Sequence, residues 1–221
     1  MLENYEKILE KSRSRVLALG EDVLKAYEFS FEAFKETDVA KASEARDLLK
    51  DAHDRNSKID NEILKTLALF SPEAKDLRVV IAHLKITSEL TRMADYIRTF
   101  AKSVKMQISG EFELEGLKED TISFQNSTLK SLQAAVESIR LESEESLEML
   151  YRKVNVEESK CDDILSIIEQ NIIQEICNLP EQAGDFVTFL KSMRKVERIS
   201  DRSVNIVKLA YFAQKGGKLK L

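Results

Sequence analysis

Two stretches decide how this chain folds: LKITSELTRMADYI at residues 84–97 and LKSMRKVERISDRSV at residues 190–204. Set side by side, Leu84 falls on Leu190, Lys85 on Lys191, Arg92 on Arg198 and Asp95 on Asp201, at a constant offset of 106 residues. Both stretches place apolar residues three and four apart, the spacing of a helix packed along one face. Each also lies just beyond one of the only two prolines, Pro72 and Pro180. Identity at four positions would mean little in helical sequence. Matched prolines and a repeated order of helices make it an internal duplication.

The same grammar extends outward. Tyr5, Ile8, Ser12, Val16, Leu19, Val23, Ala26, Ser30 and Phe34 form one helical seam, and Thr37-Asp38 then breaks it and offers an N-cap. A second helix is expected through Ala42, Ala45, Leu49, Ala52, Asn56, Ile59, Ile63 and Thr66. Ser71-Pro72 should open the third, with serine as cap and proline at the first helical position, where its missing N–H costs nothing. Ser109 to Glu119, holding Gly110 and Gly116, is the candidate linker. After it the pattern predicts helices over about 120–152 and 155–178, then a last helix opened by Pro180, with QKGGKLKL as a frayed end. The expectation is an all-α protein of six helices in two three-helix repeats, residues 1–108 and 117–215.

Composition agrees with long helices and short connections. Only 6 Gly and 2 Pro occur, 43% of residues are hydrophobic and 33% are charged. The formal net charge of -5, with acids and bases interleaved, leans against a dedicated nucleic-acid binder, although Arg194, Arg198 and Arg202 form a local basic cluster. Cys161 and Cys177 form no CxxC pair, which fits a reducing cytoplasm. The opening MLENYEKILEK lacks the apolar core of a secretory signal. No stretch approaches the ~18 apolar residues of a membrane span.

Acids on the seam are the residues with chemical promise. Glu197 and Asp201 sit four apart in the last helix, and Glu158 and Asp162 do the same in the helix before. Residues at that spacing share a face, about 6 Å apart. Two like charges there destabilise an isolated helix by roughly 0.2–0.5 kcal/mol, and unpartnered burial costs more. Something cationic should compensate. Oxygen-only donors suit a hard cation such as magnesium, calcium, manganese or iron. The competing expectation is that Arg194, Arg198 and Arg202 neutralise the acids through surface ion pairs without any metal. In the first half the counterparts are Asn56 with Asp60 and Thr91 with Asp95, so each pair has lost one acid. Asp60 and Asp95 are weaker candidates, and a first-half site should be weak or empty.

Nothing else in the sequence suggests catalysis. His53 and His83 are the only histidines, expected on helix surfaces with a ligand role as the alternative. There is no nucleophile elbow and no Gly-rich phosphate loop. The cysteines read as small core residues.

At these residues the chain resembles the PhoU family. LALFSPEAKDLR (67–78) is similar to the segment joining the family's second and third helices. LKITSELTRMAD and MRKVERISDRSVNI are similar to its two Glu-Arg-hydrophobic-small-Asp motifs, and ESKCDD (158–163) to the companion acidic motif. The resemblance implies two three-helix bundles related by pseudo-symmetry. It also implies a cytoplasmic, non-enzymatic regulator of phosphate uptake that restrains the phosphate-starvation response by contacting a phosphate ABC transporter and a membrane sensor histidine kinase. Metal, including multinuclear iron, is implied at E/D-x-x-x-D motifs, here Glu158, Asp162, Glu197 and Asp201. It allows a homodimer. Other readings stay open: an accessory protein of a secondary phosphate transporter, a carboxylate-cluster metal-storage protein, or a coiled-coil-like structural module.

Overall fold

The computed structural model describes residues 2–70, 72, 74–108, 114–141 and 143–216. Among the described residues seven α-helices run in chain order: α1 (Leu2–Glu36), α2 (Val39–Leu48), α3 (Ala52–Phe70), α4 (Ala74–Ile108), α5 (Lys118–Arg140), α6 (Glu144–Asn178) and α7 (Ala183–Lys215). Helices α2 and α3 succeed one another along one arm, which gives six rods in all. The first three rods pack on one another, as do α5, α6 and α7. Contacts of α4 with α7 and of α1 with α5 join the two halves. The equivalent helices are therefore α1 and α5, the α2–α3 arm and α6, and α4 and α7. Among the described residues there is no strand, and no helix is long and apolar enough to cross a membrane.

One apolar cluster runs through both halves, from Val16, Leu19 and Tyr27 on α1 to Val196, Ile199 and Ile206 on α7. Burying a Leu, Ile or Phe side chain contributes roughly 1.5–3 kcal/mol, so this shared interior outweighs the helix propensities around it. Gly20 marks a tight crossing. A Cβ there would meet Ile139 of α5 at 3.4 Å and Leu90 of α4 at 3.7 Å.

The boundaries differ from expectation in three places. Asp38 does cap α2, accepting from the N–H groups of Ala40 (2.8 Å) and Lys41 (3.2 Å). The second rod, though, breaks at residues 49–51 with no glycine or proline to announce it. In the second half the break falls at 141–143, not near 153. Leu141 adopts an extended conformation, and the Ser143 side chain accepts from the Ser146 N–H. Ser143 with Glu144 and Glu145 behind it is a helix-start signal that the continuous apolar spacing concealed. The linker is also shorter and better anchored than composition implied. Leu114 and Leu117 are buried around a 3₁₀ turn at Glu115–Leu117. Its residues 109–113, the expected Ser71 cap and the last five residues of the tail lie outside the described residues. Pro180 opens a 3₁₀ turn (Pro180–Gln182) that leads into α7.

Candidate metal site

The site forms where α6 and α7 run antiparallel after their short connection. The rungs between them are explicit: Arg194 of α7 donates to Glu169 of α6 at 3.0 Å, and further along Asp201 of α7 meets Glu158 and Asp162 of α6. On α6 the buried row includes Val154, Glu157, Cys161, Leu165 and Ile168, and on α7 Val196, Ile199, Ser200 and Ser203. Each of the four acids follows a buried residue by one position, a rotation of about 100°. The acids therefore line the rim of a groove just above the core. Glu158, Glu197 and Asp201 are half-buried there, and Asp162 is exposed.

One carboxylate oxygen each from Glu158, Asp162 and Asp201 lies within 4.8 Å of the other two. Oxygens sharing a cation at ~2.0–2.6 Å can stand at most about 5 Å apart, so the three fit one hard cation without rearrangement. Glu197 is not in that set. It hydrogen-bonds with Asp201, one step along the groove.

The electrostatics describe acids pressed together. Burial pushes the Glu197 carboxyl up to about 7, with the charges of Asp201 and Asp162 adding to the rise and Arg198 opposing it. Glu158 is raised by burial first and then by Asp162 and Asp201. Asp201 is raised by burial and by Asp162, against the hydrogen bond from Glu197 and the charges of Arg198 and Arg202. Raised carboxyls in one groove mark a place where negative charge lacks a counter-charge.

Two of the three arginines of that cluster are paired elsewhere. Arg194 is spent on Glu169. Arg202 turns away to α4, where it pairs with Glu89 at 2.5 Å and donates to the Tyr96 hydroxyl at 3.3 Å. Among the described residues none of the four acids is in a close ion pair, while Arg198, Arg202 and Lys208 offset part of their charge from farther away.

The first half is built differently. Asn56 donates to Asp60 at 3.0 Å, and burial raises the Asp60 carboxyl. Thr91 turns its hydroxyl back onto the Thr87 carbonyl at 2.8 Å. Asp95 is engaged by the His53 Nε2, at 3.0 and 3.1 Å from its two oxygens. Among the described residues no group of three potential ligands gathers there.

Several residues sit where the sequence did not place them. His83 is buried, contrary to a helix-surface reading, while Cys177 is exposed and only Cys161 is a core thiol. The Cys161 thiol contacts the Thr128 hydroxyl at 3.4 Å, and burial pushes it up to about 11. Glu157 was overlooked. Its side chain is buried, with one oxygen held by Lys160 at 2.8 Å and the other unpartnered. Its place on the core row was the available signal. A cavity of about 360 Å³ between α4 and α7 around Phe100 and Met193 includes none of the four acids.

A duplicated helical bundle with an open carboxylate groove in its second half is the class that fold and site define. Comparison with known proteins narrows it. The PhoU domain model matches residues 16–104. A phosphate-specific transport system accessory protein PhoU homolog from Clostridium acetobutylicum is 26% identical, over 98% of this chain and 97% of its own length. Among solved structures, PhoU from Pseudomonas aeruginosa superposes with a TM-score of 0.88 at 22% identity, covering 96% of this chain and 100% of that one. The phosphate transport system regulatory protein PhoU from Streptococcus pneumoniae gives 0.82 at 22% identity, covering 98% and 100%. These two share the fold. Residues 16–104 thus match the PhoU domain, and the resemblance to the PhoU family extends along the whole chain.

Proposed function

We propose that this chain is a non-enzymatic accessory protein of phosphate transport, a cytoplasmic regulator of uptake and of the phosphate-starvation response. It acts by binding a phosphate ABC transporter and a membrane sensor histidine kinase. The observation that carries this reading is the end-to-end similarity to a named phosphate-transport accessory protein, combined with the shared two-bundle architecture. Residues 1–108 and 117–215 are its two repeats, and the metal site belongs to the second.

In that site Glu158, Asp162 and Asp201 hold a hard cation, and Glu197 joins as a ligand or through Asp201. The bound cation supplies counter-charge, pinning α6 to α7 where their acids otherwise repel. Carboxylate-only donors favour iron, manganese, magnesium or calcium over softer ions. A single structural experiment tests the partner reading. Affinity capture from membrane extracts of phosphate-replete cells should recover a phosphate transporter subunit or the kinase. Recovery of neither defeats it. Elemental analysis of protein purified without chelator tests the metal separately, because Glu197→Ala/Asp201→Ala must lower the bound metal.

A further inference from the structure

The duplication builds one cavity twice. Helices α4 and α7 run antiparallel, the start of each beside the end of the other, and a cavity forms at both ends of the pair. At the 106-residue offset, Val79, His83 and Ile86 around one cavity correspond to Asp185, Phe189 and Ser192 around the other, and Ala213 corresponds to Gln107. The two have diverged. The first holds about 140 Å³ and the second about 360 Å³, which reaches the roughly 300–1,000 Å³ of small-molecule sites. Three of the four exchanges put a polar residue where the twin has an apolar one, and serine in place of isoleucine also removes volume.

Ser192 makes the larger cavity informative. The residue is only 4% exposed, and its Oγ is buried without a hydrogen-bond partner although it lines the cavity. A hydroxyl can both donate and accept, and a buried one left unpaired is costly and uncommon in folded proteins. Phe100, Val104, Phe189 and Met193 beside it are buried, so the floor is apolar and carries two aromatic rings and a thioether. Ser103, Gln107 and Gln182 add a hydroxyl and two amides, and none of these side chains is hydrogen-bonded among the described residues. Thr188 offers no proton, since its hydroxyl donates to the Gly184 carbonyl at 2.9 Å. Among the described residues no Lys, Arg or His lines the cavity, and its one charged group is the exposed Asp185.

We infer that this cavity binds a flat, uncharged heterocycle of nucleobase size. Its ring packs against the aromatic side chains and the thioether. The Ser192 hydroxyl meets a polar edge at the floor, and the Gln107 and Gln182 amides pair with further edge groups. An anionic ligand is disfavoured, because no cation offsets its desolvation and Asp185 repels it. In the smaller twin Ile86 takes the space and supplies no hydroxyl. The cavity shares no residue with the carboxylate groove, and its assignment rests on neither the metal nor the partner reading.

The test titrates the full chain by calorimetry with adenine, uracil, AMP and indole, while the Met193 methyl group is followed by NMR. Saturable binding of one adenine or uracil per chain, with a shift of the Met193 resonance, is expected. AMP and indole should bind about tenfold more weakly or worse, AMP for its charge and indole for its lack of acceptor edges. Ser192→Ile, which copies the twin, should weaken base binding about tenfold or more. Gln107→Ala, at a half-buried position, should weaken it severalfold with the melting temperature unchanged, and it decides alone if Ser192→Ile fails to fold. Glu197→Ala/Asp201→Ala should leave binding unchanged. Absence of saturation by both bases overturns the assignment. So does AMP or indole binding as tight as the base, base binding that Gln107→Ala and folded Ser192→Ile leave intact, or base binding lost with the acid variant.

Discussion

The His53 imidazole lies against both carboxylate oxygens of Asp95, at 3.0 and 3.1 Å, whereas Asp201, the equivalent residue of the second half, faces two further acids. A side chain has taken the position that an ion would need in the first half. This asymmetry predicts where metal goes. Asp60→Asn and Asp95→Asn should leave the metal content of purified protein at the wild-type level, while Asp162→Asn or Asp201→Asn should remove most of it. Elemental analysis reads this directly. Added cation should raise the melting temperature of the wild type and not of Asp201→Asn.

The metal-free groove should make stability fall as pH rises. Glu197 ionises near 7 in the fold but near its ordinary value of about 4.3 in the unfolded chain. Between those values the folded state keeps a proton that the unfolded state has released, so stability from this group is full below the lower value and lost as pH passes the upper. Glu197→Gln should flatten that slope, by an amount of order 1 kcal/mol because the groove is partly open to solvent. His83 works in the opposite sense. Its neutral form is favoured above about 6.5 and its contribution is lost as pH falls through about 4. Thermal melts across this window should therefore show a steeper fall with pH in His83→Gln and a flatter one in Glu197→Gln.

Arg202 and Glu89 form a bridge between the halves, 2.5 Å long with side chains only 15% and 17% exposed. The guanidinium also rests over the Tyr96 ring, 5.4 Å from its centroid. Removing one partner leaves the other charge poorly solvated. Glu89→Ala should cost about 3 kcal/mol in urea unfolding, and Glu89→Leu/Arg202→Met should recover much of that.

Thr37 closes α1 with φ at +55°, the only non-glycine in left-handed backbone among the described residues. A β-branched side chain is strained there. Thr37→Gly should stabilise by about 0.5 kcal/mol, the strain relieved outweighing the added freedom of the unfolded chain.

Much of this was legible in the residues. The three-and-four spacing of Val16, Leu19 and Val23, or of Val196 and Ile199, announced buried helix faces, and the 106-residue offset announced the repeat. The breaks at 49–51 and 141–143 were not legible, because apolar spacing runs on through both while the chain turns. The acids were found because they share a helix face. That Asp201 would join Glu158 and Asp162 within ligation distance, leaving Glu197 one step out, depends on how far α6 is rotated against α7. No linear pattern records that rotation. The burial of His83 was hidden for a related reason: its neighbours come from α1, α5 and α7, far away in sequence.

The continuous apolar cluster has a mechanical consequence. Because Leu90 and Ile97 of one half and Val196 and Ile206 of the other belong to a single interior, neither bundle can loosen while its twin stays intact. Strain applied at α1 therefore loads the same interior that holds α7.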